Sequence, residues 1–492
     1  MADEQISVKS VLSRLKIGRS VAEFDDDLEE YFVETDTFQS IVEGGHDIVA
    51  GDKGTGKTAI YRMISKNYRS YSILDDTELL AAFNPQGNPI FQRLGQIPEQ
   101  SEGQYRTLWK AYFFSLAGNW VLDIFGEDYN EEVKSLAGIL EKTGLRNLDP
   151  NPSLVFETIV GIFTKLKNFS AAEVTGSVTE YGLPIITSRA EFNSENKDIS
   201  VVYSDVFLKS LNDALRACDI KLWILLDRLD EAFQGYQSVE IPALRALFRT
   251  YLDMTELDFV RLKLFVRKDL FRKITQGGFV NLTHINAKKV EIVWEEEDLL
   301  NMLCRRIRKN DSFLTAIAAS EEASDKEIFY SLFPEQVDSG TRKPDTLTWI
   351  MARIRDGNSI RPPRNLIDLM LNAMQAQFRR EERDGRVFSR EDPLIESDSL
   401  RKAQKQLSAD RVQDTLFAEA AGDLVPYLEL FRDQKAEHNK QTIAALFGQS
   451  ENEAMPTIRR LIELGFLEEI GASYKIPMLY REGLNITQGK AF

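Results

Sequence analysis

Apolar positions along the chain fall into short continuous runs separated by longer stretches of helical spacing. The first run, Asp47-Ile48-Val49-Ala50, has the length and continuity of a buried strand and leads into a glycine-rich turn. Ile60, Met63 and Ile64 then recur at helical spacing. Tyr71 to Leu74 reads as a second short strand. Further runs at Lys221 to Leu226, Leu262 to Val266 and Lys289 to Val293 read as three more. Helical patterns at Val206 to Arg216, Ile241 to Leu252 and Glu295 to Arg308 precede, separate or follow them. Short strands alternating with helices predict a mostly parallel α/β sheet.

Residues 80–200 interrupt this alternation. Pro and Gly cluster at Asn84 to Pro98, and an aromatic helical pattern spans Tyr105 to Phe125. Leu154 to Leu166 is amphipathic, and Ala171 to Thr187 alternates like a hairpin. The region reads as an insertion whose fold the pattern does not define. Residues 1–46 read as a helical lead-in with an acidic cluster at Asp25 to Asp27. From residue 295 the signals are helical, and the charge-dense stretches Gln377 to Asp392 and Ser397 to Arg411 read as solvated faces or linkers. The chain closes with a helix at Thr442 to Phe447, a turn at Gly448 to Asn452 and a helix at Glu453 to Leu464 that stops at Gly465. Phe466 to Ile470 then pairs with Tyr474 to Ile476 around Gly471. Helix, turn, helix and hairpin are the order of a winged helix-turn-helix. The expected organisation is a lead-in at 1–46, an α/β core at 47–294 with its insertion at about 80–200, a helical region at 295–410 and a winged helix at 411–492.

Composition narrows the chemistry. The 492 residues include 77 acidic and 61 basic side chains, a formal net charge of −16, which disfavours nucleic acid as the dominant partner. Two cysteines and three histidines make neither a disulfide framework nor a zinc site expected. The first ten residues lack the pattern of a secretory signal. The most apolar helical stretch, Tyr112 to Phe125, is broken by Gly118, Asn119 and Asp123, so a membrane span is not expected and the chain reads as cytoplasmic.

The sharpest chemical signal is Gly51-Asp52-Lys53-Gly54-Thr55-Gly56-Lys57-Thr58, which matches G-x-x-x-x-G-K-[ST] between a strand and a helix. Glycines let successive backbone N–H groups turn toward phosphate oxygens, and the following helix contributes its positive end. The Lys57 ammonium reaches phosphate, and the Thr58 hydroxyl is a ligand for Mg²⁺. Such a site needs a carboxylate at the end of a neighbouring strand. Trp223-Ile224-Leu225-Leu226-Asp227 supplies one, with Asp227 where the apolar run ends. Asp230 and Glu231 follow, and either is placed to polarise an attacking water.

An apolar run followed by Asp, any residue, an apolar residue, Asp and Glu, joined to this phosphate loop, resembles the STAND and KAP branch of AAA-like P-loop ATPases. Leu264 to Phe271 resembles that branch's strand-end polar motif, with Arg267 beside the γ-phosphate or reaching a neighbouring subunit. Val293-Trp294 and Glu297 to Leu300 resemble the entry to its helical lid. Ile360 to Leu366, with Arg361 and Arg364, resembles the lid segment that senses nucleotide. The resemblance covers about 47–75 and 200–480, not the insertion. It implies an α/β, ASCE-type P-loop NTPase core with a lid and a winged helix-turn-helix. It implies ATP and Mg²⁺ as cofactors, with Gly51 to Thr58 and Arg364 on nucleotide, Thr58 and Asp227 on the metal, and Lys57, Asp230, Glu231 and Arg267 in catalysis. Arg228 stands where many AAA proteins carry the catalytic glutamate, which implies slow turnover.

Ile17 and Gly18 precede the core and are candidates to cover an adenine base. In the winged helix, Arg459, Arg460 and Lys475 lie where DNA contacts would fall, but five glutamates surround them, which favours a protein contact. The leading expectation is a regulatory ATPase switch controlling its own assembly as a homo-oligomer or a separate effector protein, in prokaryotic antiviral defence or signalling. The alternatives are a DNA-engaging initiator or loader ATPase and a non-hydrolysing nucleotide-binding scaffold.

Overall fold

The computed structural model describes residues 6–83, 101–146, 151–152, 154–159, 199–229, 237–276, 278–320, 322–420 and 422–492. The Ala171 to Thr187 hairpin expectation, the Pro/Gly cluster at Asn84 to Pro98, Asp230 and Glu231 lie outside the described residues.

The chain divides into two compact units. One comprises Glu34–Gly51 and Lys57–Ile292. It is built on five strands: β1 (Ile48–Gly51), β2 (Thr77–Phe83), β3 (Lys221–Leu226), β4 (Val260–Arg267) and β5 (Lys289–Glu291). They pair in the order β2-β3-β4-β1-β5, and every pairing is parallel. All of β1 and all but the first residue of β3 are buried, as expected of parallel strands covered on both faces. Their sequences are correspondingly continuous apolar runs rather than alternating ones.

The second strand is not where the apolar pattern put it. Ser72–Leu74 forms a 3-10 turn, and β2 starts three residues later at Thr77. The edge of the sheet is thus made by Thr-Glu-Leu-Leu-Ala-Ala-Phe, whose last residues fall inside the stretch read as an insertion. The described part of that stretch belongs to the main core. The helix Glu102–Phe125 is buried nearly all round and packs against Gln237–Met254. The Trp109 indole donates to the Ala243 carbonyl at 2.8 Å. Lys110, 1% exposed, is neutralised by Asp253 at 2.7 Å, which also takes two bonds from Arg106. A buried ammonium survives only when paired in this way.

A second buried ion pair underlies β4. Lys263, 1% exposed, meets Asp47 at 2.9 Å and donates to the His46 carbonyl at 2.7 Å. The Tyr251 hydroxyl donates to the same carboxylate, and the Trp223 ring lies 4.0 Å from the ammonium. Burial pushes the Lys263 ammonium down to about 8.

The other unit comprises Met1–Val33, Asp52–Gly56 and Val293–Phe492. Its helices include Glu296–Arg308, Thr346–Arg353, Pro363–Glu381 and Ser397–Arg411, followed by a π-helical turn at Val412–Phe417. Glu296–Arg308 begins in a capping box between Glu295 and Asp298. The chain then forms β6 (Lys435–Asn439), the helices Lys440–Phe447 and Glu451–Glu463, β7 (Glu468–Ile470), β8 (Ser473–Lys475), a short helix Met478–Arg481 and β9 (Thr487–Lys490). The strands pair in the order β7-β8-β6-β9, with β7 and β8 antiparallel. Gly448 and Gly465 end the two helices at φ +65° and +76°, positions where a left-handed turn favours glycine. The helix–turn–helix and hairpin expected from the sequence are both present, with a further strand on each side of the pattern. Gly357 packs its backbone directly on the 465–467 turn, donating to the Gly465 carbonyl at 2.7 Å.

Among the described residues, no helix is long and apolar enough to cross a membrane.

Candidate functional site

The phosphate loop starts where β1 ends. Gly54 and Gly56 take φ of +77° and +102°, conformations that side-chain-bearing residues rarely adopt. A Cβ on Gly56 would meet nothing within 4 Å among the described residues. One on Gly54 would lie 3.1 Å from the Arg364 Cβ and 3.4 Å from the Pro362 Cβ. Gly54 is therefore glycine for two reasons, its backbone conformation and the close approach of the lid segment within its own unit.

The helix Lys57–Asn67 begins directly after the loop and buries Ile60, Tyr61, Met63 and Ile64. That face fixes the direction of Lys57 and Thr58. The Lys57 ammonium donates to the Gly51 carbonyl at 2.9 Å. The Thr58 hydroxyl favours the charged form of the Asp227 carboxylate.

Asp227 lies just past the end of β3 and is 1% exposed. Burial pushes its carboxyl up to about 6, against the opposing pull of the Thr58 hydroxyl, the Arg228 backbone N–H and the Lys57 ammonium. Its Oδ2 is buried and has no hydrogen-bond partner among the described residues. Arg228 takes φ +56°, a left-handed conformation costly for a residue with a Cβ. A buried carboxylate oxygen without a partner among the described residues fits a hard cation that takes oxygen ligands. Tyr61, buried on the same helix as Thr58, packs its ring edge-on against Phe265. Burial, then the Asp227 charge, pushes its phenol up to about 12.

The strand order separates the two halves of the site more than the sequence implied. Asp227 was expected on a strand adjacent to the loop strand. Instead β4 lies between β1 and β3. Arg267, at the end of β4, is in register with Gly51 and so stands beside the start of the loop. Its guanidinium is bidentate to Asp269, at 3.0 and 3.1 Å. Burial would raise the Asp269 carboxyl, yet the arginine holds it below the usual range. Arg267 is thus engaged by its own helix start in this structure.

The loop residues Asp52–Gly56 belong with the lid unit. The Trp294 indole donates to the Thr55 carbonyl at 2.8 Å. The Lys53 ammonium is 3.2 Å from the Glu419 carboxylate and donates to the Asp414 carbonyl at 3.4 Å. Neither partner of Lys53 was visible in the sequence, because both come from the π-helical turn and its sequel, more than three hundred residues away. Arg361 pairs with Glu296 at 2.9 Å. Arg364 lies at the start of Pro363–Glu381 against Gly54. Ile17 is buried, and its carbonyl accepts from Arg306 at 2.6 Å, while Gly18 is enclosed by Tyr31, Asp25 and Arg306.

In the winged helix, Arg460 is bidentate to Asp423 at 2.6 and 2.9 Å, and Arg459 is exposed.

No family model matches the chain, and no curated protein matches it. Among solved structures, the chain is similar to the ORC2 protein of Aeropyrum pernix in its ADPNP-ADP complexes. The identity is 11%, the TM-score 0.44, and the alignment covers 94% of this chain and 97% of that one. It is similar also to the ORC1 protein of Aeropyrum pernix in complex with DNA, at 9% identity and TM-score 0.33, covering 95% of this chain and 96% of that one. The all-parallel sheet in the order β2-β3-β4-β1-β5, the glycine loop leaving β1 and the carboxylate at the end of β3 define an α/β P-loop NTPase fold.

Proposed function

We propose that the chain is a Mg²⁺-dependent ATPase that works as a nucleotide-controlled switch. The observation that carries this reading is the Asp227 carboxylate at the end of β3, with its Oδ2 buried and unpartnered among the described residues and its charged form favoured by the Thr58 hydroxyl and the Lys57 ammonium of the phosphate loop. Backbone N–H groups of Gly54 to Gly56 and the Lys57 ammonium bind the phosphates, and Asp52, Lys53 and Thr55 shape the loop. Lys57 must leave the Gly51 carbonyl to do so. Thr58 and Asp227 hold Mg²⁺, which neutralises charge on the phosphate oxygens. Asp230 or Glu231 orients the attacking water. Arg364 reads the nucleotide from the lid, and Arg267 joins it once released from Asp269. Catalysis of this kind is positioning and charge stabilisation.

The switch part of the reading is supported by Lys53. It ties the loop to Asp414 and Glu419, at the entry to the winged helix, so that phosphate on the loop competes with those contacts. A protein partner, a second copy or a separate effector, is favoured over DNA because Arg460 is already neutralised by Asp423.

The test combines phosphate release with light scattering on the full chain, apo, with MgATP, and with MgATP plus duplex DNA. Asp227→Asn should lower turnover by about 10²–10³-fold while magnesium-free nucleotide binding persists. Lys57→Ala should abolish tight binding. Unchanged nucleotide affinity in Lys57→Ala would overturn the site. Turnover raised several-fold by DNA, with assembly constant, would replace the switch with a DNA-engaging ATPase.

A further inference from the structure

A second candidate site lies within the lid and winged-helix unit, away from the phosphate loop. A cavity of about 510 Å³ opens among Thr346–Arg353, Ser397–Arg411 and the Met478–Arg481 helix with the strand that follows it. Its size is within the usual range for small-molecule pockets, about 300–1,000 Å³. Its charge is opposite to that of the whole chain. Arg353, Arg401, Lys402, Lys405 and Arg481 line it against only two carboxylates, Asp338 and Glu482. Arg401 is already paired with Asp338 and Asp398.

Arg481 is the decisive residue. It is 7% exposed, yet it is fully charged chemistry in a buried place. Its Nε donates to the Ile476 carbonyl at 2.8 Å and its Nη1 to Gln488 at 2.7 Å. Its Nη2 is buried and has no hydrogen-bond partner among the described residues. An unsatisfied buried cationic donor is costly, so it asks for an acceptor. A second guanidinium makes the cost worse. Arg353 stacks at 3.8 Å over the Trp349 ring, half-buried, and repels Arg481. Trp349 is itself held by Asp338, which accepts from its indole at 3.0 Å. A half-buried arginine stacked on an indole and a buried one with a free N–H are suited to a planar or tetrahedral oxyanion with several acceptor oxygens.

We propose that this cavity binds a small phosphorylated ligand, its phosphate taken by Arg481 and Arg353 and its charge completed by Lys402 and Lys405 at the mouth. The site is independent of the phosphate loop and does not rest on the ATPase reading. Its position, between a lid helix and the winged helix of one unit, makes it a place where a small effector bridges the two elements.

Pyrophosphate is the probe, titrated calorimetrically into full-length protein carrying Lys57→Ala to disable the phosphate loop. Binding is expected to persist there and to weaken about tenfold in Lys402→Gln/Lys405→Gln, whose exposed side chains leave folding intact. Arg353→Gln should abolish it, with an unchanged circular dichroism spectrum as the folding control. Pyrophosphate binding that disappears in Lys57→Ala, or that is unchanged in both further variants, would overturn the proposal. So would a single-stranded oligonucleotide that binds through these residues while pyrophosphate does not.

Discussion

Gly54 and Gly56 provide a test that separates the architecture of the loop from its chemistry. Both have positive φ, so alanine at either position carries a backbone penalty of about 1–3 kcal/mol. Alanine also reduces the freedom of the unfolded chain, which offsets about 0.4–1 kcal/mol. At Gly56 nothing else is added, since the new methyl meets no atom within 4 Å. At Gly54 the methyl lies 3.1 Å from one Cβ and 3.4 Å from another, and the overpacking adds about 1–3 kcal/mol. Gly54→Ala should therefore lose roughly 1–3 kcal/mol more stability than Gly56→Ala. Nucleotide binding should be affected independently of that ranking. A methyl on Gly56 fills space that the phosphate is proposed to take, and two lost charge-assisted hydrogen bonds are worth about 3 kcal/mol or more. That is about a hundredfold or more in affinity. Urea denaturation of the apo protein, followed by circular dichroism, reads the first effect. Titration with a fluorescent ATP analogue reads the second. Wild-type affinity in Gly56→Ala would refute the cradle. Equal stability of the two variants would refute the packing of the lid segment on Gly54.

Three further predictions rest on charged groups, two of them buried. Lys263→Met leaves the Asp47 carboxylate buried without its ammonium and should cost about 3–5 kcal/mol, and adding Asp47→Asn should recover much of it; urea midpoints of the single and double variants check this. Asp356 is pushed up to about 7 by burial, with Asp52 adding repulsion and the Asn358 and Ile360 N–H groups and Arg355 opposing it. Its folded value lies above its unfolded one, so its contribution to stability is full below about 4 and is lost as pH rises through about 7. Asp356→Asn keeps the oxygen that accepts both N–H bonds and should be more stable than wild type at pH 8, the advantage shrinking toward pH 5; a midpoint difference that is the same at both pH values counts against it. Lys53→Ala removes the contact to Glu419 and Asp414; nucleotide affinity should rise a few-fold if those contacts compete with phosphate, and an affinity equal to wild type in both Lys53→Ala and Glu419→Gln rejects the competition.

The parts of this protein that were readable in its sequence are those fixed by local chemistry. A buried strand followed by glycines at set positions can do little but turn, which is why Gly51 to Thr58 and the strand before it were legible. The run ending at Asp227 was legible for the same reason, since β3 is buried on both faces and cannot alternate. The 3-10 turn at Ser72–Leu74 misled because its two apolar residues, Ile73 and Leu74, are too few to show a period. β2 was missed because it is an edge strand, half-buried along most of its length, that is defined by its pairing with β3 far along the chain. The insertion of β4 between β1 and β3 is a matter of crossover order, which strand composition does not encode. Lys110, Lys263 and Arg481 illustrate the other limit. As single letters they read as surface charge, and only the partners Asp253, Asp47 and, for Arg481, the Ile476 carbonyl and Gln488 make them interior groups.

Lys53 joins a loop built for phosphate to a carboxylate at the threshold of the C-terminal module, and linked equilibria are reciprocal. If occupation of the loop loosens that contact, then any partner that pulls Glu419 away must tighten nucleotide by the same factor. A partner that braces it must hasten nucleotide release. The energy available is that of one partly exposed ion pair and one long hydrogen bond, on the order of 1 kcal/mol, a few-fold in affinity. Such a coupling suits graded control, in which the partner's concentration sets how long each nucleotide stays, better than an all-or-none trigger.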